Sequence, residues 1–205
     1  MCFHTKQSKA AIELEKRYNA KVEEKNLFLE NAVYNGFTYP KCPVITNENE
    51  ALIKHYQWGL IPFWAKDDSI KAYTLNAKIE TIKEKPSFKV CVKNRCLVIV
   101  DGFYEWQWLD PKGKKKQKYF ISFPQEQLFS LAGIWSEWVD KSSGEIIKSY
   151  SIVTTEANEL MAEIHNNKKR MPVVLNAEQE KNWLSGEEMD NFKKFEIELK
   201  ASVAT

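Results

Sequence analysis

The residue with the most distinctive chemistry in this chain is Cys2, which follows Met1. Removal of Met1 would leave Cys2 with a free amine and a thiol on adjacent carbons. An amine condenses with an aldehyde to an imine, and a thiol held beside it closes a five-membered thiazolidine ring without a second encounter. An α-amine has a pKa of about 7.7 to 8.0, so a useful fraction of it is neutral near pH 7. The pair predicts an aldehyde trap, and a chance Met-Cys start is the plain alternative.

Three further segments offer polar groups that could complete such a site. Glu105 stands among aromatic residues directly after an apolar run, and such surroundings raise a carboxyl pKa and suit proton transfer. Asn76 and Lys78 are two residues apart, so on an extended backbone both face one ligand. His165 precedes the cationic residues 168–170, and an imidazole beside cations suits a phosphate. Taken alone, each has an ordinary alternative: an outward strand residue, a surface loop and a structural histidine.

Length and composition favour one globular domain over residues 1–205. The chain has 43% hydrophobic and 28% charged residues, and its net charge is only +2. Its four cysteines form no CxxC pair and its three histidines lack zinc-ligand spacing, so we expect reduced thiols, no metal and no cofactor. The longest purely apolar stretch, residues 96–100, is too short to span a bilayer. We therefore expect a cytoplasmic monomer that does not contact membranes.

The pattern of apolar residues predicts an α+β fold with many strands. A helix is expected over residues 8–25, with Ser8 as its cap, and shorter helices over 155–164 and 177–184, the last capped by Asn176. Segments rich in β-branched and aromatic residues are separated by turn signals and predict strands. They comprise residues 96–100, 103–108, 119–123, 128–135 and 146–154. This arrangement favours a curved antiparallel sheet or barrel-like β core with flanking helices.

Five lysines are concentrated between residues 112 and 118, next to the turn-like sequence of residues 110–113. Lysines keep a hairpin tip solvated, so the sequence favours an exposed tip here. A local basic patch can also hold phosphates whatever the net charge of the whole protein.

Taken together and in order, these motifs resemble the SOS response-associated peptidase (SRAP) family, and the resemblance covers nearly the whole chain. One such match would mean little, whereas eight in order are specific. The matching segments are Met1-Cys2, residues 58–64 (WGLIPFW), 76–81 (NAKIET), 95–98 (RCLV), 101–106 (DGFYEW), 131–135 (LAGIW), 153–155 (VTT), and His165 with Arg170-Met171-Pro172.

The resemblance implies a compact β-rich domain that recognises abasic sites in single-stranded DNA and bonds to them covalently through Cys2. The resulting thiazolidine would shield the lesion from strand cleavage, in a cytoplasmic protein associated with the nucleoid when bound to DNA. By the same resemblance Asn76 would orient the amine, Glu105 would shuttle protons and His165 would assist sugar ring opening. The residues implied to contact DNA are Asn35, Trp64, Lys78, Thr154 and Arg170.

The sequence departs from the family pattern at several of these positions. Phe3 and His4 stand where much of the family has Gly and Arg, and Lys78 stands where an arginine is common, which loses bidentate geometry but keeps the charge. The spacer between His165 and Arg170 is longer than usual.

Two other functions remain open at this point. The first is a thiol peptidase, or a self-cleaving one, with Cys2 as nucleophile and His165 and Glu105 as partners. The second is a non-covalent single-strand binding module that works through basic and aromatic contacts.

Overall fold

The structure, a computed structural model, describes residues 2–125, 127–193 and 197–204. Within these residues the chain forms fourteen β-strands, four α-helices and four short 3-10 helices. The strands are β1 (His4–Gln7), β2 (Lys21–Val22), β3 (Ala32–Asn35), β4 (Lys41–Thr46), β5 (Asn49–Trp58), β6 (Asn76–Lys78), β7 (Arg95–Val100), β8 (Gly102–Trp108), β9 (Lys116–Ser122), β10 (Phe129–Val139), β11 (Ile146–Glu156), β12 (Arg170–Pro172), β13 (Val174–Leu175) and β14 (Lys200–Val203). The α-helices are α1 (Ala11–Tyr18), α2 (Pro86–Lys89), α3 (Glu159–Ile164) and α4 (Ala177–Leu184), and the 3-10 helices are Lys25–Leu27, Gly36–Thr38, Asp68–Tyr73 and Met189–Phe192.

The strands form two sheets, one of which closes on itself. In the larger sheet the strands β11, β10, β7, β4 and β5 are neighbours in that order, and a parallel pairing of β5 with β11 joins the two ends. The second sheet has the order β14-β9-β8-β1-β3 and is antiparallel throughout. The observed architecture is therefore the predicted α+β fold with a barrel-like core.

The barrel strands supply two cores from opposite faces. Along β7, Cys96, Val98 and Val100 pack with residues of the five-stranded sheet, whereas Leu97 and Ile99 pack with α1 and α4. All of β7 is buried as a result. This two-sided burial explains why its sequence is continuously apolar rather than alternating.

Five predicted strands and the helix at residues 177–184 are confirmed, with boundaries that differ by a few residues for the strands. The α4 helix begins after Asn176, whose side chain accepts hydrogen bonds from the backbone N–H groups of Glu178 and Gln179. This is the capping that the sequence predicts.

Two predicted helices are too long. The helix expected over residues 8–25 ends at Tyr18 because Asn19 adopts a left-handed conformation (φ 50°), and β2 then pairs with β5. Ser8 does not cap it: its N–H donates to Asp101 Oδ1 at 3.2 Å and its hydroxyl bonds to the same carboxylate. The helix expected over 155–164 starts at Glu159, because β11 continues to Glu156 and pairs with β12.

The lysine cluster is divided between a hairpin tip and a strand. Strands β8 and β9 form a hairpin, and Lys112, Lys114 and Lys115 lie exposed at its tip, as the turn signal predicts. Lys116 and Lys118 belong to β9 instead. In the part of the chain that the structure describes, no helix is long and apolar enough to cross a membrane.

Candidate functional site

The side chain of Cys2 is completely buried just before β1. Asn76, the first residue of β6, donates a hydrogen bond from Nδ2 to the carbonyl oxygen of Cys2 at 2.9 Å. Strand β6 is held in place by parallel pairing with β11, where Asn76 lies opposite Ile152. The Oδ1 atom of Asn76 is also buried and has no hydrogen-bond partner among the residues described, so this amide keeps one acceptor beside Cys2.

Glu105 lies on β8, the strand that pairs directly with β1. Its neighbours Tyr104 and Trp106 point to the outer face of the sheet, whereas the Glu105 side chain points inward and is only 5% exposed. Burial raises the pKa of this carboxyl to about 7. A carboxyl with this pKa is about half protonated in neutral solution and can both accept and donate a proton.

His165 follows the last turn of α3 and faces Glu105. Its Nδ1 atom accepts a hydrogen bond from the backbone N–H of Arg170 at 3.0 Å, and its Nε2 atom lies 3.9 Å from Glu105 Oε2. Burial lowers the pKa of this imidazole to about 4, so it is neutral at pH 7. Because Nδ1 accepts, the ring proton of the neutral form resides on Nε2 and points towards Glu105.

Burial also raises the pKa of the Cys2 thiol well above its ordinary value, and the negative charge of Glu105 raises it further. The side chain therefore remains a protonated thiol at neutral pH in this environment. The nucleophilic form of cysteine is the thiolate. A reaction that needs a standing thiolate is disfavoured here, whereas one in which another group attacks first is not.

A side chain that sequence reasoning missed joins the loop after α3 to β8. Asn166, next to His165, accepts a hydrogen bond from the backbone N–H of Trp108 at 3.0 Å and donates one to the carbonyl of the same residue at 2.9 Å. Gln107 adds a bond from Nε2 to the carbonyl of Glu163 at 3.2 Å. These contacts fasten the loop that carries His165 to the strand that carries Glu105. The signal in the sequence was the unusually long spacer after His165, but its partner on β8 is distant in the chain.

The residues predicted to contact DNA differ in their surroundings, and their role stays a prediction. Lys78 is exposed at the end of β6, and Trp64 is 45% exposed in the loop after β5. Asn35 accepts a hydrogen bond from Phe37 N at 3.1 Å and thereby caps a 3-10 helix. Thr154 is buried on β11, opposite Lys78 in the parallel pairing.

Arg170 is already engaged within the protein. Its guanidinium donates to both carboxylate oxygens of Glu80, each at 2.8 Å, and to the carbonyl of Thr154 at 2.9 Å. This paired charge lowers the pKa of Glu80, against the opposing effect of its partial burial. The geometry makes Arg170 a fastener between β12 and the segment after β6.

No group of three or more His, Cys, Asp or Glu residues within the described residues is arranged to hold a metal ion. The groups that this site brings together are a thiol, an amide, a carboxyl with a pKa near neutrality and a neutral imidazole.

Comparison with known proteins identifies a matching family model and several similar proteins. A family model for the SOS response associated peptidase (SRAP) matches residues 1–202. The chain is 41% identical over 148 residues to the abasic site processing protein YoqW of Bacillus subtilis (strain 168), and 33% identical over 156 residues to the abasic site processing protein HMCES of Gallus gallus. These alignments cover 72% and 65% of this chain. They span 63% and 45% of the relatives, so the chain covers less than two thirds of their length.

Solved structures share the fold. A crystal structure of a protein from Bacteroides thetaiotaomicron superposes with a TM-score of 0.91 at 35% identity, over 100% of this chain and 92% of that one. A crystal structure from Bordetella bronchiseptica superposes with a TM-score of 0.80 at 21% identity over the full length of both chains, and this likeness concerns the fold alone.

Proposed function

Because this chain belongs to the SOS response associated peptidase (SRAP) family, we propose that it processes abasic sites in single-stranded DNA by forming a covalent thiazolidine through Cys2. The reaction requires removal of Met1, which frees the amine beside the thiol. The bonded protein would then shield the lesion from strand cleavage. The named relatives YoqW and HMCES, both abasic site processing proteins, support the substrate class.

The observation that carries the proposal is the convergence of four side chains from distant parts of the chain. Asn76 is hydrogen-bonded to Cys2, and Glu105 faces His165 at 3.9 Å. The open Oδ1 acceptor of Asn76 suits an ammonium or amine donor on Cys2. The carboxyl near neutrality supplies the proton transfers, and the neutral imidazole supplies a hydrogen-bond donor.

The first chemical requirement is an open-chain sugar. In an abasic nucleotide the sugar closes on itself, so its aldehyde must be released by breaking the C1′–O4′ bond. As this bond breaks, protonated Glu105 donates a proton to O4′, and the Nε2–H of neutral His165 stabilises that oxygen with a hydrogen bond. The Glu105 carboxylate then takes up the proton of the C1′ hydroxyl. These two transfers balance, since one proton enters and one leaves the sugar.

The trapping steps then require proton shuttling at nitrogen and oxygen. The neutral amine of Cys2 attacks C1′, and ionised Glu105 takes a proton from the nitrogen. The now protonated Glu105 returns it to the former carbonyl oxygen, which gives the carbinolamine. A second transfer of the same kind moves the remaining nitrogen proton to the hydroxyl, which leaves as water and gives the imine. Addition of the thiol across the C=N bond closes the ring, with its proton transferred to nitrogen. One water is lost overall, and no oxidant or reductant is needed.

The protonation states of Cys2 and His165 favour a reaction in which the amine attacks first, and they weigh against the thiol peptidase. A peptidase of that type uses a thiolate activated by its histidine. Burial raises the pKa of the Cys2 thiol and lowers that of His165, and both effects oppose a thiolate–imidazolium pair. In the thiazolidine reaction the thiol acts second and on an electrophile already held beside it.

The test is intact-mass measurement of the denatured protein after incubation with an oligonucleotide that carries one abasic site. The expected product has the mass of protein plus strand minus one water. The same spectrum reports whether Met1 has been removed. An adduct should disappear in Cys2→Ala and persist in the matched variant Cys91→Ala, which alters a buried thiol in the other core.

Acetylation of the amino terminus separates the two chemistries. It should abolish the adduct, because the trap needs the amine, and it should spare a thiol peptidase. If the trimmed protein forms no denaturation-resistant adduct but cleaves peptides, the proposal is wrong. A protein that binds the damaged strand with no covalent product would instead be the non-covalent module.

A further inference from the structure

The outer face of the five-stranded sheet carries lysine and aromatic side chains in adjacent rows. His4 of β1 lies opposite Tyr104 of β8, which lies opposite Phe120 of β9. In the same way Trp106 lies opposite Lys118. Directly opposite residues of an antiparallel pair point to the same side of the sheet. The register therefore gathers these side chains on one face, away from the buried Glu105.

Three lysines of this face lie over three aromatic rings. The Nζ atom of Lys6 is 5.1 Å from the ring centre of Phe120, that of Lys118 is 4.6 Å from Tyr104, and that of Lys116 is 5.6 Å from Trp108. All three rings are partly exposed. We call these six residues the lysine–aromatic face: Lys6, Tyr104, Trp108, Lys116, Lys118 and Phe120.

A glycine fixes the position of the central ring. A Cβ atom at Gly102 would lie 2.2 Å from the Phe120 ring, so the ring occupies the space that any other residue would need. Phe120 thus lies flat across β8 rather than pointing into solvent. A flat, partly exposed ring is the geometry on which a nucleic-acid base stacks.

The described part of this face carries more cationic than anionic side chains. Among the described residues of β1, β3, β8, β9 and β14, the side chains include lysines at 6, 116, 118 and 200, and the one carboxylate, Glu105, points inward. Asp101, just before β8, also acts on Tyr104 and is hydrogen-bonded to Ser8. Because lysines outnumber carboxylates on the described part of this face, it is complementary to a phosphate backbone. Solvation of an exposed sheet would account for the lysines but not for the aromatic rings beneath them.

The face is also continuous with the candidate site. The ring of His4, two residues after Cys2, lies 4.8 Å from that of Trp106. Glu105 lies on the opposite side of the same strand. With about 3.3 Å per residue along a strand and about 4.8 Å between strands, the face extends for roughly 15 to 20 Å, enough for a few nucleotides.

From these observations we propose that the lysine–aromatic face binds the single-stranded DNA that continues beyond the lesion, with bases on the rings and phosphates on the lysines. This inference rests on the proposed function and names the path of its substrate. It places the hairpin lysines of β9 in a DNA-binding role that the turn signal alone did not indicate.

The test compares short and long strands in a Cys2→Ala background, which isolates non-covalent binding. Fluorescence anisotropy measures affinity for undamaged strands of about 5 and about 18 nucleotides over a range of salt concentrations. Each phosphate contact contributes about 0.7 to the slope of log affinity against log salt for a single strand. The double variant Lys6→Gln/Lys116→Gln should therefore lower the slope for the long strand by about 1.4 and narrow the affinity difference between the strands.

Two matched variants separate charge from stacking and from general effects. Lys89→Gln/Lys93→Gln removes two exposed lysines near α2, outside this sheet, and should leave the slope unchanged. Phe120→Leu keeps an apolar side chain without a π-face, and should weaken long-strand binding several-fold with no change in slope.

The outcomes distinguish the inference from the function on which it rests. If wild-type protein forms the covalent adduct but the lysine and Phe120 variants bind both strands like the parent, the face is merely solvated and the inference is wrong. If wild-type protein forms no adduct with a short abasic strand, the proposed function fails instead. A change shared by the α2 control would also contradict the inference, because it would reflect net charge alone.

Discussion

Replacement of Glu105 by glutamine should stabilise the protein in alkaline solution while it slows the proposed chemistry. The carboxyl is 5% exposed, and its burial raises the pKa from an ordinary 4.5 to about 7. An acid whose pKa is raised by folding is protonated more readily in the folded state than in the unfolded one. Folding therefore becomes less favourable as the pH rises from about 4.5 through about 7, where the folded protein must also lose the proton.

The size of this effect follows from the two pKa values. A difference of about 2.5 units corresponds to about 3 kcal/mol at pH 8, where both states are ionised, and to about 1 kcal/mol at pH 5. Glutamine has the same shape and no charge to bury. We expect Glu105→Gln to raise the free energy of unfolding relative to wild type by these amounts. For a domain of this size the difference at pH 8 corresponds to roughly 6 to 12 °C in melting temperature.

The assay is urea unfolding of both proteins at pH 5 and pH 8, analysed as the difference at each pH so that all other titrating groups cancel. Glu80→Gln is the matched control with the opposite sign. Its pKa is lowered by Arg170, so its contribution to stability is present above its ordinary pKa and the variant should be destabilised at both pH values. Equal effects of Glu105→Gln at pH 5 and pH 8 would refute the reasoning. The rate of adduct formation should fall by roughly 10²- to 10⁴-fold, the usual contribution of a general acid–base group.

The other predictions concern neighbouring residues. Lys78→Gln should lower the salt slope of single-strand binding by about 0.7 and weaken all sequences alike, as measured by anisotropy; a sequence-selective loss would contradict a backbone contact. Arg170→Lys should lower the free energy of unfolding by roughly 1 to 3 kcal/mol in urea titrations, because lysine cannot keep both bonds to Glu80. Asn166→Ala should slow adduct formation and shift its pH profile, with little loss of stability, because the loop of His165 is no longer fastened to β8; an unchanged profile would leave Asn166 without a positioning role.

The sequence patterns correctly predicted the elements that depend mainly on neighbouring residues, such as a capped helix or a strand rich in β-branched residues. The α4 helix appears where Asn176 supplies a cap, and the strands around residues 96–100 and 146–154 appear where β-branched residues are dense. The predicted end of the helix over residues 8–25 was wrong because Val22, although it fits the helical spacing, lies in β2 and pairs with β5. The strand that pairs with Val22 is about thirty residues further along the chain, so the pattern of residues 8–25 alone does not reveal this pairing.

The sequence predicted which residues form the candidate site but not the hydrogen bonds and ion pairs that they make. The types of Cys2, Asn76, Glu105 and His165 indicated what each could do, and the family resemblance grouped them. The hydrogen bond from Asn76 to Cys2 depends on β6 pairing with β11, and no spacing in the sequence encodes that register. For Arg170, a cationic type predicted a phosphate contact, but the bidentate pair with Glu80 requires a neighbour ninety residues away.

Burial of the site shifts the pKa values on which the proposed chemistry depends, and it also makes ionised Glu105 destabilise the fold. The same exclusion of water raises the pKa of Glu105 to about 7 and lowers that of His165 to about 4, so one group shuttles protons near neutrality and the other stays neutral. Exclusion of water also keeps the Cys2 thiol protonated until an imine is formed beside it. A more open site would return all three pKa values towards their ordinary range and would stabilise the fold. The destabilisation assigned to Glu105 is therefore a consequence of the arrangement that makes it useful, and removal of the carboxyl should separate stability from activity.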